Sequence, residues 1–139
     1  MEELRKVKVN IPSWAAVIYI IISIGMIPWT IFLSYHLPNQ HITKNWDITW
    51  VGLDIAQIIS LLITGLLAKI GSIYMVLSAM TTSTLFLADA WFDILGYRLG
   101  TFGSAKAMLM ALFGELPLAI LSFALAVHAL RRLHAKRSI

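Results

Sequence analysis

Four carboxylates stand inside apolar sequence: Asp54, Asp89, Asp93 and Glu115. The stretch LADAWFDIL (Leu87–Leu95) carries two of them at Asp-x-x-x-Asp spacing, which on a helix places both on one face. Carboxyl groups so placed can exchange protons, accept hydrogen bonds from neighbouring helices, or ligate a hard cation, which takes several oxygen ligands. Each charge near a bilayer centre costs about 2.5–3.5 kcal/mol on insertion scales. Convergent acids also repel unless some are protonated or a cation sits among them. Intramembrane carboxylates are therefore candidates for function, here as the binding residues for a cation or protons. The competing reading is structural: polar side chains join membrane helices by hydrogen bonds worth about 0.6–2 kcal/mol. Asp93, nearest the interface, has the further option of hydration or of pairing with Arg98. The Asp-x-x-x-Asp spacing alone names no metal, and the metal, if any, is left open.

The elements that position these acids follow from composition. The chain has 139 residues, 59% hydrophobic and 13% charged, with a mean hydropathy of +0.81. A soluble domain of this size needs a charged surface that this sequence cannot supply, so lipid is the expected solvent and the bilayer the first partner. With no cysteine there is no disulfide framework, thiolate metal site or cysteine nucleophile. A net charge of +4 and a pI near 9.6 raise the question of nucleic acid. The basic residues gather at segment ends, where membrane topology accounts for them, and no nucleic-acid partner is expected.

Four apolar stretches reach the roughly 20 residues that a membrane helix needs: Ser13–Tyr35, Thr49–Ala68, Ser72–Leu95 and Ala105–Leu130. The first is too long for a signal-peptide core and has no small-x-small site after it, so it is expected to stay in place. Pro12 suits its entry and Pro28 should kink it. Of the eleven Lys and Arg, Arg5, Lys6, Lys8, Lys69, Arg131, Arg132, Lys136 and Arg137 fall on one side. Lys44, Arg98 and Lys106 fall on the other. By the positive-inside rule both termini are cytoplasmic. Short links, KIGS and GYRLGTFGS with the longer HLPNQHITKNWDI, force sequential spans to pack antiparallel. The expected fold is an all-α, up-down four-transmembrane-helix bundle forming a single membrane domain.

In that topology Asp89 and Asp93 lie near the outer end of the third span, and Asp54 lies one to two turns below the outer mouth of the second. Glu115, roughly ten residues or about 15 Å into the fourth, lies near the membrane centre. Helical phase groups Ser78, Thr82, Asp89 and Asp93 on one stripe of the third span, and Asp54, Gln57 and Thr64 on one stripe of the second. Ser23, Thr30 and Ser34 share a stripe on the first span, as do Glu115 and Ser122 on the fourth. Each helix thus has one polar face, expected to look into the bundle while the remainder meets lipid. Asp89, deeper than Asp93 and in line with Ser78 and Thr82, is the expected centre of an outward-facing acidic cavity supported by Gln57, Ser78 and Thr82.

The other candidate groups add less. His36 and His41 fall in or beside the outer loop, and His128 and His134 at the inner end, where they complement a helix terminus. Trp14, Trp29, Trp46, Trp50 and Trp91 fall mainly near the interfaces, as belt residues do. Trp91, between Asp89 and Asp93, is placed to offer an aromatic wall to an organic cation, though the belt reading is favoured over it; Trp50 and Trp91 are the supporting aromatics of the candidate site. The RRLHAKR tail can attract anionic lipid, and positive-inside anchoring also accounts for it. There is no nucleophile elbow, phosphate loop, zinc helix motif or serine beside a histidine, so neither catalysis nor a cofactor is expected. A voltage sensor needs a ladder of arginines in the fourth span, and the basic residues here begin only at Arg131.

The stretches NWDITWVGLD, LADAWFDIL and GELPLAILSFALAVHALRR together resemble a family of small, uncharacterised prokaryotic four-helix membrane proteins. The resemblance runs from the first outer loop onward and is carried by Trp50, Gly52, Asp54, Asp89, Trp91, Asp93 and Glu115. It implies an integral membrane protein of a bacterial cytoplasmic membrane and brings no activity with it. Two classes of function follow from the residues. One is a channel, carrier or receptor that handles a cation or protons in its acidic cavity. The other is a non-catalytic membrane subunit or scaffold, a homo-oligomer or the companion of another membrane protein, whose polar stripes only join helices or dock a partner.

Overall fold

The computed structural model describes residues 8–9, 11–37, 44–98 and 104–137. Arg5, Lys6, His41 and the centres of the two longer links lie outside the described residues. The helices are α1 (Ser13–His36), α2 (Trp46–Lys69) and α3 (Met75–Arg98), followed by a fourth span in three parts. Those parts are α4 (Ala105–Met110), a π-helical stretch (Ala111–Glu115) and α5 (Leu116–Arg137). The protein is therefore all-helical, with four helices each long and apolar enough to cross a membrane and no strand among the described residues. A helix of 24 residues such as α1 is about 36 Å long, enough for a hydrocarbon core of roughly 30 Å.

Local chemistry sets the helix ends. α2 starts at Trp46, ahead of the expected Thr49, because Asn45 turns the chain with left-handed backbone (φ 63°). The Asn45 carbonyl then accepts both the N–H and the hydroxyl of Thr49, at 3.3 and 3.2 Å. α3 starts at Met75, after the expected Ser72, because Gly71 (φ 66°) makes the tight turn out of α2. The Gly71 carbonyl accepts from the N–H of Val9 at 2.7 Å, tying the segment before α1 to this turn. A Cβ on Gly71 would stand 2.8 Å from the Val9 carbonyl oxygen, so the close approach as well as the positive φ demands glycine. α5 continues to Arg137, past the expected Leu130.

At the end of the bundle that holds this turn the helices close on small residues. Ala15, Ala16, Ala68, Ala79, Ala126 and Ala129 are buried there with Val76 and Met75. Small side chains let membrane helices approach and gain van der Waals contact, which lipid tails do not otherwise reward. Gly65 is the tightest point: a Cβ there would meet Ile20 Cγ1 at 2.8 Å and the Ala16 carbonyl oxygen at 3.1 Å. Large apolar side chains such as Ile21, Leu77 and Ile120 point outward, as a lipid-facing surface requires.

The packing follows chain order. α1 lies on α2, α2 on α3, and α3 on all three parts of the fourth span. Among the described residues no Cα of α1 comes within 8 Å of one in the fourth span, so the bundle has an open seam there. Side chains bridge the seam nearer the closed end, where the Tyr19 hydroxyl donates to Ser122 Oγ at 2.8 Å.

The polar stripes face inward with one exception. Ser23, Thr30, Asp54, Gln57, Thr64, Thr82, Asp89 and Ser122 are buried. Ser34, expected on the inner stripe of α1, is exposed and returns its hydroxyl to the Ile31 carbonyl at 2.7 Å. Its hydroxyl is thus satisfied within its own helix, although Val51 and Ile55 of α2 line the same groove.

Candidate functional site

Opposite the alanine-packed end, the four carboxylates line one cavity of about 220 Å³. Asp54 reaches it from α2, Asp89 and Asp93 from α3, and Glu115 from the end of the π stretch. Their charges act on one another across the space: Glu115 is repelled by Asp89, Asp93 and Asp54. Among the described residues no three His, Asp or Glu side chains gather closely enough to hold one metal ion. The acids are therefore spread round a wall, not focused on a point.

Two of them have protein partners. Asp89 is buried and accepts from Gln57 Nε2 at 2.7 Å. Asp54 is buried and accepts from the Thr30 hydroxyl at 3.3 Å, which joins α1 to α2. Asp93 is half-buried, and among the described residues Arg98, which is exposed, forms no ion pair with it. Glu115 is half-buried, yet its Oε2 is shut away from solvent with no hydrogen-bond partner. A buried acceptor left unpaired costs about 1–3 kcal/mol, so this oxygen is the strongest unmet demand in the site.

The rest of the wall is aromatic. Trp29 and Phe32 from α1 and Trp46 and Trp50 from α2 line the same cavity. Trp46 and Trp50 meet edge to face with ring centroids 5.5 Å apart. At the mouth the Lys106 ammonium lies 5.2 Å from the Trp29 ring centroid and 5.7 Å from that of Phe32, within reach of a cation–π attraction. Trp50 therefore stands where a cation would meet it. Trp91 does not: it is 62% exposed on the far side of α3 and is absent from the cavity wall.

The stripe of α3 divides by depth. Its outer part, Asp89 and Asp93, belongs to the cavity, whereas Ser78 and Thr82 do not line it. Thr64 Oγ1 lies 2.7 Å from Ser78 Oγ and 3.0 Å from Thr82 Oγ1, and Ser78 also donates to the Ser60 carbonyl at 3.3 Å. These hydroxyls join α2 to α3 beneath the acids and hold the floor of the site in place.

The π stretch positions Glu115. The N–H of Leu116 bonds back to Ala111, a five-residue step, and Pro117 has no N–H to offer the Phe113 carbonyl in a regular α-helical bond. The widened turn brings Lys106, Met110 and Glu115 to one wall, where regular α-helical steps of four from Lys106 and Met110 would reach Gly114. Sequence reasoning missed this turn, together with the roles of Trp29, Phe32, Trp46 and Met110. One signal was present in the four-residue steps of Trp46, Trp50 and Asp54, which put two indoles and a carboxylate on one stripe of α2.

No family model matches the chain, and neither a curated protein nor a solved structure matches it.

Proposed function

We propose that this is a multi-pass protein of a bacterial cytoplasmic membrane that handles a cation or protons in an acidic cavity open to the outer face, with both termini in the cytoplasm. The observation that carries this reading is a single cavity walled by Asp54, Asp89, Asp93 and Glu115 together with aromatic rings. A cation entering this space meets negative charge and π faces. Because the carboxylates surround the space without converging on one point, an organic ammonium, held by charge and by ring faces, suits it better than a bare metal ion. Orientation rests on Lys8, Lys69, Arg131 and Arg132, which stand at the end of the bundle away from the cavity, and on the neighbours of Lys8 and Arg132 in sequence, Arg5, Lys6, Lys136 and Arg137. The protein would act as a receptor, a carrier or a channel.

The scaffold reading keeps one specific support: Gln57–Asp89 and Thr30–Asp54 are interhelical bonds that hold helices together without a ligand. A thermal-shift titration of the purified protein with tetramethylammonium chloride, against sodium chloride, separates the two. Protons compete with the cation for Asp54, Asp89, Asp93 and Glu115. The stabilisation by tetramethylammonium should therefore be saturable and grow as pH rises, and Glu115→Gln should remove most of it in a protein that still folds. No saturable shift at any pH, or an unchanged one in Glu115→Gln, would leave the scaffold reading in place.

A further inference from the structure

The open seam between α1 and the fourth span leads sideways from the acids to the lipid-facing surface. It forms a cleft of about 530 Å³, with α2 and α3 as its floor. Its sides are apolar, with Ile22 and Met26 on α1 and Leu109, Phe113 and Leu118 on the fourth span. Gly25 and Gly114 face each other's helices across it, and a Cβ on either would meet nothing within 4 Å. These glycines border empty space. Neither makes the kind of helix contact that Gly65 makes.

The cleft is apolar on its sides and polar where Asp54, Gln57 and Asp89 on the floor meet Glu115, next to the mouth cavity. Trp29 and Lys106 belong to both its wall and that of the mouth cavity, so they partition a sideways entry from an axial one. An ordinary acyl chain would fill the apolar part but bring no positive charge to Asp54, Asp89 and Glu115. A fatty carboxylate would bring like charge to the acids. A protonated amine at the end of an alkyl chain satisfies both parts: its chain lies between Gly25 and Gly114, and its N–H groups give charge-assisted hydrogen bonds to the carboxylates.

We infer that the ligand is a single-chain cationic amphiphile that enters from the membrane through the α1–fourth-span seam, its ammonium head seated on Glu115 and its tail in the cleft. This rests on the cation-binding reading of the cavity and adds the chemical class of the ligand and its route. The test uses the full-length protein in uncharged maltoside micelles and compares thermal shifts with dodecylamine, dodecanol and ethylamine. Dodecylamine should stabilise saturably and dodecanol should not. Gly25→Leu and, separately, Gly114→Leu place side chains in the cleft. Each should lose the dodecylamine shift and keep the ethylamine shift, which also certifies that the variant is folded.

If the leucine variants keep the dodecylamine shift, or if dodecanol matches dodecylamine in the parent protein, the amphiphile inference is overturned while a response to ethylamine leaves the cavity reading intact. If neither amine stabilises the parent protein, the cavity reading falls and this inference with it.

Discussion

Gln57 and Glu115 divide the acidic residues into two kinds. Asp89 already has its donor in Gln57, at 2.7 Å, whereas the buried oxygen of Glu115 has none. Asn is nearly the shape of Asp, and the Gln57 amide can turn over to accept where it now donates. Asp89→Asn should therefore fold as four spans, yet flatten the rise of tetramethylammonium stabilisation with pH, because it removes a negative charge from the wall. Asp93→Asn, at the half-buried rim, should flatten it much less. Thermal-shift titrations of the two variants across pH check this ranking, and an equal or reversed effect would remove Asp89 from the site. Asp89→Ala, which deletes the interhelical bond as well, should further cost about 0.6–2 kcal/mol of stability.

At the scale of elements, α1 and α2 are held by a backbone approach that only glycine permits. A methyl at Gly65 would press on Ile20 and on the Ala16 carbonyl, while one at Gly52 would meet nothing within 4 Å. Gly65→Ala should lose about 1–3 kcal/mol, the usual cost of overpacking, and Gly52→Ala should be neutral or slightly stabilising. Melting followed by size exclusion in mild detergent compares the pair directly. The spans themselves were legible because a run of about 20 apolar residues has few other fates. The inward faces of Asp54, Gln57, Thr64, Thr82 and Asp89 were legible because a 3.6-residue period projects them together. Ser34 was not, since periodicity does not record a hydroxyl that returns to its own helix backbone. Nor could it sort Trp91 from Trp29, because an indole near an interface satisfies the belt pattern on either face. The π turn broke the period between Met110 and Glu115, and the missing N–H of Pro117 was its one trace in the sequence.

For the whole molecule, short links require neighbours in sequence to pack but leave open whether first and last helices meet. Here only side chains toward one end bridge them, and the result is a bundle closed at that end by alanines and parted at the other around acids and rings. The segment before α1 is tied to the α2–α3 turn, so that turn and the start of the first helix share one end of the bundle. If the basic residues set the orientation, that end is cytoplasmic. A cysteine introduced at Asn39 should then react with an impermeant thiol reagent in intact cells, and one at Ser138 should not. The opposite labelling would place the acidic mouth in the cytoplasm and reverse the proposed access.

The π turn has a bearing on ancestry. It carries one residue more than regular α-helix would use, and each residue turns a helix by about 100°. A lineage that lost a single residue between Ala111 and Glu115 would keep its hydropathy, its four spans and its charge bias. It would also keep Lys106, Met110 and the carboxylate on one wall, now by the four-residue steps of a regular α-helix. Among descendants of one ancestral bundle, a one-residue difference between Lys106 and Pro117 would therefore mark whether the π turn was kept or lost, while the wall that holds the carboxylate persists in both.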